Sequence, residues 1–258
     1  MSTSIAIRHL CVCALVLVVV PGAFAAEDEG LAWMPRVSVG VQKGWGLADK
    51  GRHRLDGGAA LAVGGAATSD ESVDMAGQLE AALLVGIPIG SGIEAIVGPG
   101  FTYGRNRAET TTKAVGQTAV TVGNQPITAG TTLTVATEDT YTTAGGKLVF
   151  GLGMRVLPGL KLELLPAVSL VKLAVERSGT TTATASALGT TLINIQPSER
   201  SDSAPALIFG LSLGAVATLP GGAQLGARVG LAAGSANVDG LDYQVSGGTA
   251  ALDLGWRF

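Results

Sequence analysis

The sequence predicts an all-β fold: an eight-stranded, antiparallel, up-and-down transmembrane β-barrel. Three observations carry this. Apolar residues recur at every second position in eight separate segments, tight Gly/Pro turns alternate with long polar connections, and charged residues make up only 14% of the 258 residues, against an ordinary share of about 25%. After Ala25 no stretch keeps the ~20 consecutive apolar residues of a membrane helix, because Gly, Pro, Thr or a charge interrupts every one. Lipid offers no partner for the backbone groups of an open sheet, so such a chain must close on itself.

The N-terminus sets the compartment. Arg8 precedes an apolar run from Leu10 to Val20, and Ala23-Phe24-Ala25 supplies a small-x-small pattern, which reads as a signal peptide over residues 1–25, too short to span a bilayer. Residues 26–258 then form the barrel. Cys11 and Cys13 both lie in the signal, so the mature chain is expected to hold no disulfide and no cysteine-ligated metal.

The strands follow in order. Val37, Val39 and Val41 alternate with Arg36, Ser38 and Gly40 in the first, which Trp45 closes. Leu79, Leu83, Val85 and Ile87 form one face of the second; after "GSG", Ile93, Val97, Phe101 and Tyr103 do so in the third. The fourth sets Leu148, Phe150, Leu152 and Met154 against Lys147, Gly151 and Arg155; across "LPGL", the fifth sets Leu160, Leu162 and Leu164 against Lys161 and Glu163. Leu207, Phe209, Leu211 and Leu213 mark the sixth, and after "LPGG" Leu225, Val229 and Leu231 mark the seventh. The last, "ALDLGWRF", places Leu252, Leu254, Trp256 and Phe258 on one face. Period-two alternation of this kind defines a strand with one apolar side.

Connections after the second, fourth and sixth strands are tight. Those after the first, third and fifth are long, near 47–74, 106–140 and 177–203. Short turns at one end and long loops at the other match barrels with both termini in the periplasm and long loops outside. A soluble barrel would reverse the faces, but the second face here is largely Gly, Ala and Ser, which suits a narrow lumen better than a solvated surface. Trp33, Trp45, Tyr103, Tyr243, Trp256 and Phe258 lie near strand ends, where interfacial girdles are expected.

The signal peptide, eight alternating strands and terminal "GWRF" resemble the small bacterial outer-membrane β-barrels that include the opacity adhesins and outer-membrane proteins A, X and W. The resemblance implies that Trp256 and Phe258 act as the signal read by the barrel-assembly machinery. Members of that family are adhesins, tethers, narrow pores or lipid-modifying enzymes, so the resemblance alone assigns no activity.

Projected inward, the strands contribute Arg36, Glu80, Glu94, Lys147, Arg155, Lys161, Glu163, Arg228, Asp253 and Arg257. Buried charges of both signs must pair, which predicts a lumen plugged by an ion-pair network. Catalytic parts are sparse: His53 is the only histidine after the signal, with Asp49, Asp56, Ser69 and Ser72 nearby but no spacing motif. No cofactor or metal is implied, and a net charge of -3 gives no reason to expect a nucleic-acid partner. The segments from Thr118 to Thr137 and from Thr180 read as β-prone hairpins whose edges can pair with an extracellular protein or peptide. Lys43, Arg105 and Lys172 share the lipid-facing parity near the loop end, where they are placed to contact lipopolysaccharide among the outer-membrane lipids. A structural or surface-interaction (adhesin-like) protein is the expected role; a lipid A-modifying enzyme and a narrow pore are the alternatives.

Overall fold

A computed structural model describes residues 31–122, 125–187 and 190–258, with side chains described outside 118–127 and 187–192; the expected signal peptide lies outside these residues. The strands are β1 (Ala32–Lys43), β2 (Gly46–Leu47), β3 (Gly65–Val73), β4 (Met75–Gly90), β5 (Ile93–Val122), β6 (Gln125–Leu157), β7 (Leu160–Ala187), β8 (Thr190–Thr218), β9 (Ala223–Val238) and β10 (Leu241–Trp256), and helix α1 (Asp49–Val63) lies between β2 and β3. All pairings are antiparallel, and β1 pairs with both β4 and β10. This closes an eight-membered ring of β1 and β4 through β10, so no sheet edge remains at membrane depth.

Alternation fixes which side chains meet lipid. Leu83 is 39% exposed on the outside, whereas its neighbour Leu84 is 1% exposed inside. A one-residue slip would exchange the two faces of a strand, so the apolar pattern also fixes register. Tight turns at one end use glycines in the left-handed region: Gly92 at φ 77°, Gly159 at 76° and Gly221 at 87°. Asp239 (φ 52°) and Gly240 (φ 77°) close the β9–β10 hairpin at the other end, as an Asp-Gly pair with two positive φ angles favours.

The register also gives the slant. Following paired residues round the ring, Ala32 leads through Gly86, Ile96 and Gly151 to Leu165, in the register that pairs Leu152 with Leu164. Ser212, Gly230 and Thr249 then lead back to Gln42, ten residues beyond Ala32 on the same strand. A stagger of ten over eight strands means a tilt of about 40° and a rise of about 1.25 positions for each strand crossed.

The segments expected as long loops are ordered differently. β5, β6, β7 and β8 run 30, 33, 28 and 29 residues, far beyond the roughly 9–11 that a tilted span needs. The described residues within 106–140 and 177–203 therefore continue the strands, paired antiparallel from β5 to β6 and from β7 to β8. β3 takes up the path of β4 beyond Asp74, whose amide donates to Arg107 O at 2.9 Å, and pairs with β5 from Gly65↔Gly116 to Val73↔Ala108. The result is a five-stranded sheet, β3-β5-β6-β7-β8, projecting from the rim of the barrel.

Candidate functional site: a plugged lumen, a projecting sheet and an outer cationic tier

Nine of the ten inward charges expected from the sequence form a ladder of two ion-paired groups, one above the other. Nearest the tight turns, Arg257 Nη1 donates to Glu94 Oε2 at 2.8 Å, and Lys161 bridges Glu94 and Glu163, reaching Glu163 Oε1 at 2.8 Å. Arg36 holds Glu163 through two hydrogen bonds of 2.6 and 3.0 Å. Higher up, Glu80 accepts from Lys147 at 2.5 Å and from Arg228, which also lies 3.2 Å from Asp253. Small residues make the room: a Cβ added at Gly153 would stand 2.9 Å from Lys161 Cδ. Arg155 departs from the expectation. It has the inward parity but is exposed at the mouth beside the Leu157–Leu160 turn, and no described carboxylate pairs with it. Interleaved with these charges on the same strands, Met34, Leu84, Ile96, Val149, Leu165 and Ala167 fill the lumen with apolar side chains.

Above the ladder lies a second layer that the sequence did not reveal. Trp45, Leu47, Tyr141, Leu173, Tyr243 and Val245 pack together inside the ring, and the rings of Tyr141 and Tyr243 meet edge to face at 5.7 Å. Trp45 and Tyr243 are each 3% exposed; they are core residues and not members of an interfacial girdle. Trp33 and Trp256, at 39% and 41%, do face outward. Asn106 holds Trp45 by accepting from its amide at 3.1 Å and donating to its carbonyl at 2.9 Å.

At the rim, fully buried Asp139 accepts from Arg177 Nε at 2.7 Å and Nη2 at 2.6 Å, and from the Tyr141 hydroxyl at 3.0 Å. The Asp139 hydrogen bond raises the Arg177 pKa, while burial and then the Asp139 charge raise that of Tyr141, keeping its phenol protonated. Glu71 accepts from the Leu47 amide at 2.8 Å and lies 3.6 Å from Arg52; burial nevertheless pushes its carboxyl above the ordinary value. The tyrosine and Asp139 parities, odd along β6 and β10 like Lys147 and Asp253, were the available signal.

Helix α1 caps the chamber. Its Ala59 and Val63 pack on Ala114, with Ala67 and Leu133 alongside, so the helix covers the inner face of the projecting sheet. The catalytic parts do not assemble here. Ser69 Oγ donates directly to Asp56 at 2.5 Å, exposed His53 has no described hydrogen bond to either, and no group of three metal-capable side chains occurs among the described residues.

The outer face of the projecting sheet is a polar grid. Successive cross-strand rows read Val115–Thr132–Thr184–Ile193 and Lys113–Thr134–Thr182–Ile195. Above Leu207, β8 is paired only with β7 among the described residues, leaving a free edge on which Ile193 and Ile195 are 65% and 62% exposed. Pro197, Glu199 and Arg200 follow on that strand.

Lys43, Arg105 and Lys172 are all exposed on the outside of the ring, and the slant brings them to one level. Lys172 pairs through Ala144, Tyr103 and Leu79 to Val39; four crossings raise it about five positions, to the height of Gly44. Arg105 pairs through Gly77 to Val41, and two crossings lift it to the same tier. Every outward position of the eight strands between this tier and the tight turns is uncharged.

No protein-family model and no curated protein matches the chain. Solved structures that resemble it include Ail, the attachment invasion locus protein of Yersinia pestis, at 12% identity and a TM-score of 0.28 over 90% of this chain and 100% of that one. An outer membrane channel from Pseudomonas putida F1 has 11% identity and a TM-score of 0.27 over 93% and 100%. The β domain of the Bordetella autotransporter BrkA has 16% identity and a TM-score of 0.27 over 90% and 100%. The architecture is that of a closed, eight-stranded transmembrane-type β-barrel. Its closed pairing, lipid-type exterior and filled interior define it from within.

Proposed function

We propose that this outer-membrane barrel is a surface-interaction protein: the plugged ring is an anchor, and the projecting sheet engages an extracellular peptide or protein by strand addition along β8. The observation that carries the reading is the asymmetry of the sheet's two edges. Among the described residues β3 is paired only with β5 and exposes Thr68, Asp70 and Ser72, whereas β8 is open beside two exposed isoleucines. An open strand edge offers main-chain hydrogen bonds to an extended partner, and alternate side chains select it. Pro197 and the charges after it blunt the lower edge against pairing with another copy, which leaves the tip around Ile193 and Ile195 as the contact. In this reading the tight turns and both termini face the periplasm and the hairpins face outward.

The test is adhesion of cells displaying the protein to immobilised extracellular-matrix proteins and to arrays of extended peptides. Ile195→Pro removes an edge amide and should abolish binding, whereas Thr182→Ala on the neighbouring paired strand should leave it within about twofold. Undiminished binding by the proline variant, with its outer-membrane level unchanged, would refute strand addition.

A further inference from the structure

The outward surface changes character abruptly at one height. Below the tier of Lys43, Arg105 and Lys172 no outward side chain is charged; on the tier itself all three charges are positive, and none has a described carboxylate partner. Arg107, the next outward cation on β5, differs in being 3.3 Å from Glu138. Lone cations at the edge of an apolar belt mark the level of lipid head groups.

Their spacing is also regular. Each cation stands two strands from the next, on β1, β5 and β7 in ring order, which for strands ~4.8 Å apart at this tilt is an arc of about 13 Å. A single phosphate cannot bridge that arc, whereas a disaccharide bearing a phosphate at each end can place one on each of two neighbouring cations. Outward-facing Tyr103, two residues before Arg105 and half-buried on the same strand, lies just beneath the middle cation, where its ring can meet a sugar or the start of an acyl chain. Arginine at the centre suits this: its planar fork binds a phosphate in two-point fashion.

We infer that Lys43, Arg105 and Lys172 form a binding site for a bisphosphorylated disaccharide lipid, of the lipid A type, in the outer leaflet. Arg105 holds one phosphate, and Lys43 or Lys172 holds the other, so the site accommodates the disaccharide in either direction. The surface below it needs no further polarity because acyl chains run down the uncharged belt.

The experiment places the folded barrel in nanodiscs containing bisphosphoryl lipid A, monophosphoryl lipid A or phosphatidylglycerol, and counts retained lipid by native mass spectrometry. Bisphosphoryl lipid A should be retained about tenfold over the monophosphoryl form. K43Q/R105Q/K172Q should lose that preference while keeping its heat-modifiable gel mobility, and R107Q should retain it. Equal retention of the two lipid A forms, or of phosphatidylglycerol, would show a general anionic anchor and overturn the site. So would a preference that survives in the triple variant.

Discussion

Arg36 and Glu163 face each other across the lumen, joined by two hydrogen bonds although 127 positions separate them in the chain. Both are almost fully buried, at 4% and 1% exposure. Breaking a buried pair by removing one member leaves a charge without compensation, at about 3–5 kcal/mol. Arg36→Met should therefore destabilise the barrel by roughly that amount, and Arg36→Met with Glu163→Leu by less, although Lys161 couples the two changes. Urea titration of folding into lipid bilayers measures both, and a neutral single variant would contradict the ladder.

Lipid contact is tested at Leu83, which lies outward on β4 well below the cationic tier. Leu83→Arg should destabilise the folded barrel by roughly 2–4 kcal/mol, as charge near the midplane does. Val115→Arg, on the outer face of the projecting sheet where Val115 is 54% exposed, should stay within about 0.5 kcal/mol. Equal tolerance at both positions would mean that the β4 exterior does not meet hydrocarbon.

Much of this molecule was legible because period two states both that a residue is in a strand and which way it points. The eight strands, the tight turns and the inward parity of the charged residues followed from that. Depth did not: Arg155 has the correct parity but stands beside a turn, where its charge meets water. Trp45 and Tyr243 were misplaced because nearness to a strand end was read without parity. α1 was missed for a different reason. Its Gly51, Gly57 and Gly58 are poor helix formers, and Ala48 offers no capping side chain, so packing of Ala59 and Val63 on the sheet must stabilise it. Leu55, Ala59 and Val63 at intervals of four, followed by Gly64 in the left-handed conformation, were the signals present.

Glu71 gives the chamber a pH dependence. Its folded pKa is raised above 4.5 by burial, so the folded state takes up the proton first. The associated stabilisation is gained as pH falls through the raised value toward 4.5 and is absent at neutral pH. A carbon NMR titration of the Glu71 carboxyl should show a midpoint above 4.5, and Arg52→Gln should move it higher by removing a nearby positive charge. Glu71→Gln should abolish this pH dependence. A midpoint at or below 4.5 in the unmodified protein would be incompatible with the burial argument.

The lumen is closed by the ladder, by the layer around Trp45 and Tyr141, and by α1. Planar-bilayer recordings should show little steady conductance. Replacing Asp49–Val63 with a flexible Gly/Ser linker should change this little, because the two lower layers remain. Large, stable channels from the unmodified protein would defeat the packed lumen, and channels appearing only after the replacement would make α1 the sole gate.

The final residue closes the ring. Phe258 N donates to Trp33 O at 3.0 Å, Trp33 N donates to Phe258 O at 3.3 Å, and the Phe258 ring stacks on Trp256 at 6.2 Å between centroids. Deleting Phe258 removes this exchange and one aromatic at the interface, yet leaves the seven β1–β10 pairs from Arg36↔Gly255 to Gln42↔Thr249 in place. Refolding into detergent should therefore lose little, on the scale of one or two hydrogen bonds at about 1 kcal/mol each. If the terminal aromatic is also what the assembly machinery reads, assembly in cells should fall much further than refolding does. Heat-modifiable gel mobility of membrane fractions and of refolded protein separates the two effects. Normal assembly of the truncated chain would remove the recognition role, and equal loss in both measurements would make Phe258 a closing residue alone.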